Sequence, residues 1–100
     1  METRERFGKA LRLARLRKNL PQEAFAVVSS RTFVSMLERG KTSPTIEKLE
    51  ELCSVLDVHP ATLVALTYLP DGQDKERSAK ELLQLITREL HQLIGGSDPG

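Results

Sequence analysis

Residues that build catalytic and metal sites are scarce in this chain, which has one cysteine, two histidines and four aromatic residues among 100. A single cysteine, Cys53, excludes an intrachain disulfide or a cluster of thiolate ligands, and we interpret it as a small core residue. The chain also lacks a histidine pair at metal-ligand spacing and a nucleophile with a neighbouring base. We therefore predict no metal, no cofactor and no enzymatic activity.

Long apolar runs are equally absent from the sequence, and we expect no secretory leader. The N-terminus is charged from Glu2 onward, and no apolar run approaches the roughly 18 residues that cross a bilayer. We therefore expect a cytoplasmic protein without a membrane segment. The chain is rich in Leu, Glu, Lys and Arg, with 39 % hydrophobic and 29 % charged residues, which favours a small all-α fold.

Positive charge is concentrated in the first half of the chain. Residues 1–44 contain ten Lys or Arg and four acidic residues, a net charge of +6, whereas residues 45–100 contain five and ten, a net charge of −5. Only the first half can approach phosphate favourably. We interpret most basic residues of the first helix as charges that face water rather than phosphate, and Arg12 could have either role. These residues are Arg4, Arg6, Arg12, Arg17 and Lys18.

Helical periodicity and end signals predict six helices. The first covers residues 3–18, and Asn19 makes a turn. Pro21 starts a very short second helix, whose inward residues are predicted to be Phe25, Ala26 and Val28. Ser30 caps a third helix, and Thr45 caps a fourth that ends at Asp57. The apolar positions of the fourth helix are Ile46, Leu49, Leu52, Cys53 and Leu56.

The last two helices follow His59, which we assign a turn or capping role rather than a metal-binding one. The fifth helix covers residues 60–69, and a Pro-Gly break separates it from the sixth, over residues 74–94. We predict a first domain over residues 1–69, a linker and C-terminal helix over 70–94, and a flexible tail over 95–100.

The third helix, about residues 30–38, combines a buried face with an exposed polar face. Val34 and Leu37 turn inward, whereas the exposed positions are Arg31, Thr32, Ser35 and Met36. Guanidinium, hydroxyl and thioether groups suit base edges, phosphates and the thymine methyl group better than catalysis. We predict that this helix enters the major groove of DNA and that these four residues contact bases.

The sixth helix has an apolar stripe that needs a partner. Its residues alternate at spacings of four and three: Ala79, Leu83, Ile86, Leu90 and Leu93, widened by Leu82 and Ile94. Two interpretations are open, namely packing on the fifth helix or pairing with the same helix of a second subunit. We favour the second, in which the stripe is a dimerisation surface.

Residues 7–66 contain a set of short motifs: Phe7-Gly8, Leu11-Arg12, Arg15, Leu20, Gln22-Glu23, Ala26, Ser30-Arg31, Val34-Ser35, Leu37-Glu38-Arg39-Gly40-Lys41, Pro44-Thr45 and Leu49. With these residues the segment resembles the Cro/repressor (XRE-like, lambda repressor-like) helix-turn-helix family. The resemblance implies a five-helix DNA-binding domain, here followed by an additional C-terminal amphipathic helix. It also implies a homodimer on a two-fold symmetric, palindromic operator.

The resemblance further implies roles for particular residues. Family positions that hold the DNA backbone correspond to Gln22, Lys41, Thr42 and Ser43. The position of Glu38 pairs with that of Arg15 and joins the recognition helix to the first helix. Because the family has two more residues before the recognition helix, we expect a tighter turn or a shorter second helix here. Pro21 also replaces the usual capping Ser or Thr.

Together these observations predict a sequence-specific transcriptional regulator that binds double-stranded DNA. The alternative is an antitoxin or other protein-interaction partner that uses the same domain, with the apolar sixth helix bound to a different protein.

Overall fold

The structure is a computed structural model, and it describes residues 2–72 and 74–95. In this part of the chain there are no strands, which confirms the predicted all-α fold. The helices are α1 (Thr3–Arg17), a 3₁₀-helix (Gln22–Val27), α2 (Arg31–Glu38), α3 (Ile46–Leu56), α4 (Pro60–Tyr68) and α5 (Lys75–Ile94). The predicted flexible tail lies, apart from Gly95, outside the described residues.

The chain divides into two compact units, Met1–Tyr68 and Leu69–Gly100. In the first unit, α1 packs against α2 and α4, and α3 contacts α4 and the 3₁₀-helix. Fully buried side chains from all five helices form its core: Leu11, Phe25, Val34, Leu37, Leu52, Cys53, Leu56 and Leu63. Burial raises the pKa of the Cys53 thiol, which is consistent with its predicted role as a core residue.

Side-chain caps start the helices at the predicted residues. Ser30 Oγ accepts a hydrogen bond from the backbone N–H of Phe33 at 3.1 Å, and Thr45 Oγ1 accepts one from Lys48 at 3.0 Å. Asp57 closes α3 in the left-handed conformation, with a φ of 58°. These caps satisfy backbone groups that a helix end leaves without an intrahelical partner. The predicted capping roles of all three residues are confirmed.

The second helix differs from the prediction in its winding. A 3₁₀-helix has about three residues per turn, which places Gln22, Phe25 and Val28 on one face. Phe25 is buried and the other two are half-buried, whereas Ala26 is exposed. The prediction that Ala26 faces inward was therefore wrong, because it assumed ordinary α-helical spacing over a segment that is wound more tightly.

A second correction concerns Ile46, which was predicted to be an apolar core position of α3 but is 74 % exposed. Ile46 is the first residue of the helix and lies at the edge of the stripe formed by Leu49, Leu52 and Leu56. At that position its side chain extends past the end of the surface through which α3 packs on α4 and the 3₁₀-helix.

In the second unit, α5 is a 20-residue helix that begins at a cap from Asp74, whose Oδ1 accepts from the N–H of Arg77 at 3.1 Å. None of the residues in α5 is buried. Across the described chain, no helix is both long enough and apolar enough to span a bilayer.

Candidate nucleic-acid interface

Helix α2 presents one polar face and buries the other. Val34 and Leu37 are buried, while Arg31 and Thr32 are exposed and the remaining two predicted base-contacting residues, Ser35 and Met36, are half-buried. All four therefore lie outside the buried face, on a helix of eight residues. Contacts at the ends of the helix add to this buried face in fixing its position.

The C-terminal end of α2 is fixed by a Schellman motif. Gly40 has a φ of +73°, in the left-handed region that favours glycine. Its N–H donates to the carbonyl of Leu37 at 3.1 Å, and the N–H of Lys41 donates to that of Met36 at 2.9 Å. The predicted phosphate-contacting residues Lys41, Thr42 and Ser43 follow this turn directly; Lys41 and Ser43 are exposed and Thr42 is half-buried.

Two glycines allow α1 to approach the end of α2 closely. A Cβ at Gly8 would lie 2.5 Å from the carbonyl oxygen of Leu37 and 2.6 Å from that of Glu38. A Cβ at Gly40 would lie 2.9 Å from the Cα of Glu5. Real Cβ atoms essentially never approach backbone this closely, so the position of α2 depends on both glycines.

Replacing Gly8 by alanine is therefore expected to destabilise the protein. The added methyl group would push α1 away from backbone atoms of α2, and overpacking of this kind typically costs about 1–3 kcal/mol. Thermal or urea unfolding would measure the loss. Alanine at the half-buried Ser78, in the second unit, serves as a control that should change stability little. A Gly8→Ala protein as stable as the wild type would contradict this close approach.

A buried ion pair connects α1 to α2. Arg15 Nε donates to Glu38 Oε2 at 2.6 Å, and Arg15 Nη2 donates to Oε1 at 3.0 Å. The two side chains are only 10 % and 4 % exposed. Hydrogen bonding to Glu38 raises the pKa of Arg15 above its ordinary value, against the lowering effect of burial. The structure thus brings together the two residues that the family resemblance paired.

Two further groups complete this network. Arg15 Nη1 donates to the carbonyl oxygen of Leu20 at 3.0 Å, and Gln22 Nε2 donates to Glu38 Oε1 at 3.1 Å. The side chain of Gln22, which was predicted to contact phosphate, is therefore engaged in holding Glu38. Its backbone amide lies at the start of the 3₁₀-helix, where Pro21 provides no side-chain cap. The network joins α1, the 3₁₀-helix and α2 at one buried point.

Lys48 contacts the C-terminal end of the 3₁₀-helix. Its Nζ donates to the carbonyl oxygen of Val28 and forms an ion pair with Glu51 at 2.8 Å. A cation is favourable at this point, because carbonyl groups at the C-terminal end of a helix carry partial negative charge. We did not predict this contact, since only the tertiary fold brings α3 to the turn before α2.

Sequence reasoning also missed two contacts on the exposed face. Arg31 Nη1 lies 3.1 Å from Glu23 Oε1, across the turn between the two helices. Arg39, for which we proposed no role, is exposed and donates through Nε to the carbonyl oxygen of Ser35 at 3.4 Å. Glu23 and Arg31 are eight residues apart and lie on different helices, so no helical spacing indicates their contact.

Two short helices joined by a tight turn, the second fixed at both ends with its polar face outward, define a helix-turn-helix protein. The sequence model of the helix-turn-helix family matches residues 11–63, and the chain belongs to this family. The predicted family is thereby confirmed. The protein is a DNA-binding transcriptional regulator, as predicted.

Comparison with individual proteins agrees with this assignment. The chain is 33 % identical over 73 residues to the control protein C.BamHI of Bacillus amyloliquefaciens, an alignment that covers 70 % of this chain and 90 % of that relative. The crystal structure of the clp gene regulator ClgR from Corynebacterium glutamicum matches with a TM-score of 0.64 at 24 % identity. That match covers 100 % of this chain and 98 % of the other, and it shows a shared fold.

Proposed function

We propose that this regulator binds a palindromic operator as a homodimer, with α2 of each subunit in the major groove. The observation that carries the proposal is the fixed position of α2. Its polar face is exposed, while the Arg15–Glu38 pair and the close contact at Gly8 hold its opposite side against α1. A recognition helix held in this way can present side chains to base edges without moving relative to the phosphate contacts.

Base contacts are assigned to the exposed face of α2. Arg31, the first residue of the helix, has a forked guanidinium that suits the two acceptors of guanine in the major groove. Thr32 and Ser35 can exchange hydrogen bonds with bases or backbone, and Met36 offers an apolar contact to a thymine methyl group. These four residues would determine which sequence is bound.

Phosphate contacts are assigned to the segments that flank α2. Lys41, Thr42 and Ser43 follow the Schellman turn, and Gln22 contributes its backbone amide on the other side. Amides at the start of a helix and a nearby ammonium group favour an anion. The net charge of +6 over residues 1–44 supports approach to DNA from this half of the chain.

The homodimer is assigned to α5. Its stripe of Ala79, Leu83, Ile86, Leu90 and Leu93 leaves large apolar side chains in water, since Leu83, Leu90 and Leu93 are 56 %, 52 % and 83 % exposed. Pairing of two such helices would bury these side chains and is favourable by about 25 cal/mol per Å² of apolar surface.

A DNA-binding protein of this family acts where the chromosome is, which supports the proposed cytoplasmic location.

Replacing Arg31 by alanine is expected to relax the sequence preference at one base pair of each half-site. The loss of a bidentate contact should cost about 1–3 kcal/mol at that pair and little elsewhere. Selection of binding sites from random DNA with the variant would measure it. If the Arg31→Ala protein selected an unchanged consensus, Arg31 would have no role in base recognition.

Replacing Lys41 by alanine is expected to weaken binding to all sequences by a similar factor. Because one fewer counterion is released, the slope of log affinity against log salt should become less steep by about 1. Titration of a fixed duplex at several salt concentrations would measure the slope. Lys18→Ala removes the same charge from the end of α1 and is the matched control, with little change expected. Equal effects of the two substitutions would argue against a specific phosphate contact at Lys41.

A further inference from the structure

We propose that Glu23 is a positioning residue that restricts Arg31 to one orientation and so determines how strongly the protein discriminates its operator from other DNA. The inference rests on the proposed function, since it concerns the base contact of Arg31. The carboxylate of Glu23 and the guanidinium of Arg31 are 3.1 Å apart, and their side chains are 56 % and 72 % exposed. Neither residue belongs to the hydrophobic core.

The backbone on both sides of the pair is well fixed. The N–H of Ser29 donates to the carbonyl oxygen of Phe25 at 2.9 Å, Ser30 caps α2, and Lys48 holds the carbonyl of Val28. Glu23 lies in the first turn of the 3₁₀-helix and Arg31 is the first residue of α2. The short connection therefore holds these two exposed side chains within reach of each other, and their contact is a property of this particular turn.

The chemistry of the pair favours discrimination over affinity. A guanidinium has five N–H donors, so a carboxylate can accept from one edge while other donors remain for the two acceptors of a guanine. Without Glu23, Arg31 can rotate freely and turn toward the nearest phosphate, a contact that carries no sequence information. Glu23 also places a negative charge beside the DNA, which repels phosphate equally on every sequence. The first effect weakens non-specific binding more than specific binding, whereas the repulsion lowers both affinities by the same factor.

The test compares four proteins: the wild type, Glu23→Gln, Arg31→Ala and the double variant. The two probes are the duplex that the wild type enriches from random DNA and a scrambled duplex of the same composition. Glu50→Gln removes one negative charge from an exposed residue of α3 and controls for net charge. Because Glu23 and Arg31 are both exposed, all variants should unfold at nearly the wild-type temperature, so altered binding will not reflect misfolding.

Glu23→Gln is expected to bind the scrambled duplex more tightly and to lower the ratio of enriched to scrambled affinity by about two- to fivefold, as expected for one exposed ion pair. In the Arg31→Ala background, Glu23→Gln should change both affinities by the same factor. Glu50→Gln should leave the ratio at its wild-type value. A non-additive change of this kind identifies coupling between the two residues, which a general loss of charge would not produce.

Two results would overturn the inference. One is an unchanged ratio for Glu23→Gln. The other is an equal fall in the ratio when Arg31 is already alanine, which would assign the effect to Glu23 acting independently. If the wild type bound the enriched and scrambled duplexes equally, the proposed function would fail first and the inference with it. If the wild type prefers the enriched duplex and Glu23→Gln prefers it by the same factor, the inference is contradicted and the proposed function is left intact.

Discussion

Replacing Glu38 by alanine is expected to unfold the first unit of the protein rather than only weaken its binding to DNA. The substitution leaves the buried guanidinium of Arg15 without its carboxylate and removes the acceptor of Gln22. Breaking a buried pair by removing one partner costs about 3–5 kcal/mol. Small domains are stable by only about 5–15 kcal/mol, so a loss of this size unfolds a domain whose stability lies at the lower end of that range. Urea unfolding followed by circular dichroism measures the effect.

Two further variants make the Glu38 experiment specific. Glu50→Ala removes an acid from an exposed residue of α3, so it should change the free energy of unfolding by no more than about 1 kcal/mol. Replacing both Arg15 and Glu38 by methionine removes the two charges together and should cost less than the sum of the single substitutions. A Glu38→Ala protein with wild-type unfolding behaviour would show that the pair does not hold α2 against α1.

The second large effect is expected at the apolar stripe of α5. Replacing Leu83 and Leu90 by lysine places two like charges on the proposed dimer surface, where they would face the same charges of the partner helix. Sedimentation equilibrium should then show monomers. Because the second recognition helix is no longer tethered, affinity for the operator should fall by about 10²–10⁴. The core of the first unit contains neither leucine, so its thermal unfolding should change little.

A matched control for the α5 experiment uses the neighbouring positions Gln84 and His91. They are exposed, have the same seven-residue spacing as Leu83 and Leu90, and lie about 100° further around the helix. Lysines at these two positions should leave the dimer intact. A chain that ends at Leu69 provides an independent test. If that chain dimerised as tightly as the full one, α5 would not be the interface.

Features that depend on neighbouring residues in the chain were predictable from the sequence. The caps at Ser30 and Thr45 and the end of α3 at Asp57 follow from local chemistry that is complete within a few residues. The polar face of α2 follows from spacing alone, because Val34 and Leu37 leave few other orientations for the helix. The family resemblance added the Arg15–Glu38 pairing, which joins positions 23 residues apart.

Features that depend on the tertiary fold were not predictable. Ala26 was misplaced because a six-residue segment fits either helical winding, and contacts of Phe25 and Gln22 with the rest of the fold decide between them. Gly8 was among the residues that carry the resemblance. Its role was not predictable, because it depends on α2 lying so close to α1 that a methyl group does not fit between them. The Glu23–Arg31 contact depends on the geometry of the three-residue connection between the 3₁₀-helix and α2, for which spacing gives no signal.

The central claim, that two copies of α2 recognise a palindromic operator, is tested most directly by selecting binding sites from random double-stranded DNA with the full-length protein. We expect an inverted repeat whose half-site centres are about 10–10.5 base pairs, or 34–36 Å, apart. Each half-site should contain a guanine whose selection depends on Arg31. The absence of any enriched sequence, or a single asymmetric site bound by a monomer, would contradict the account.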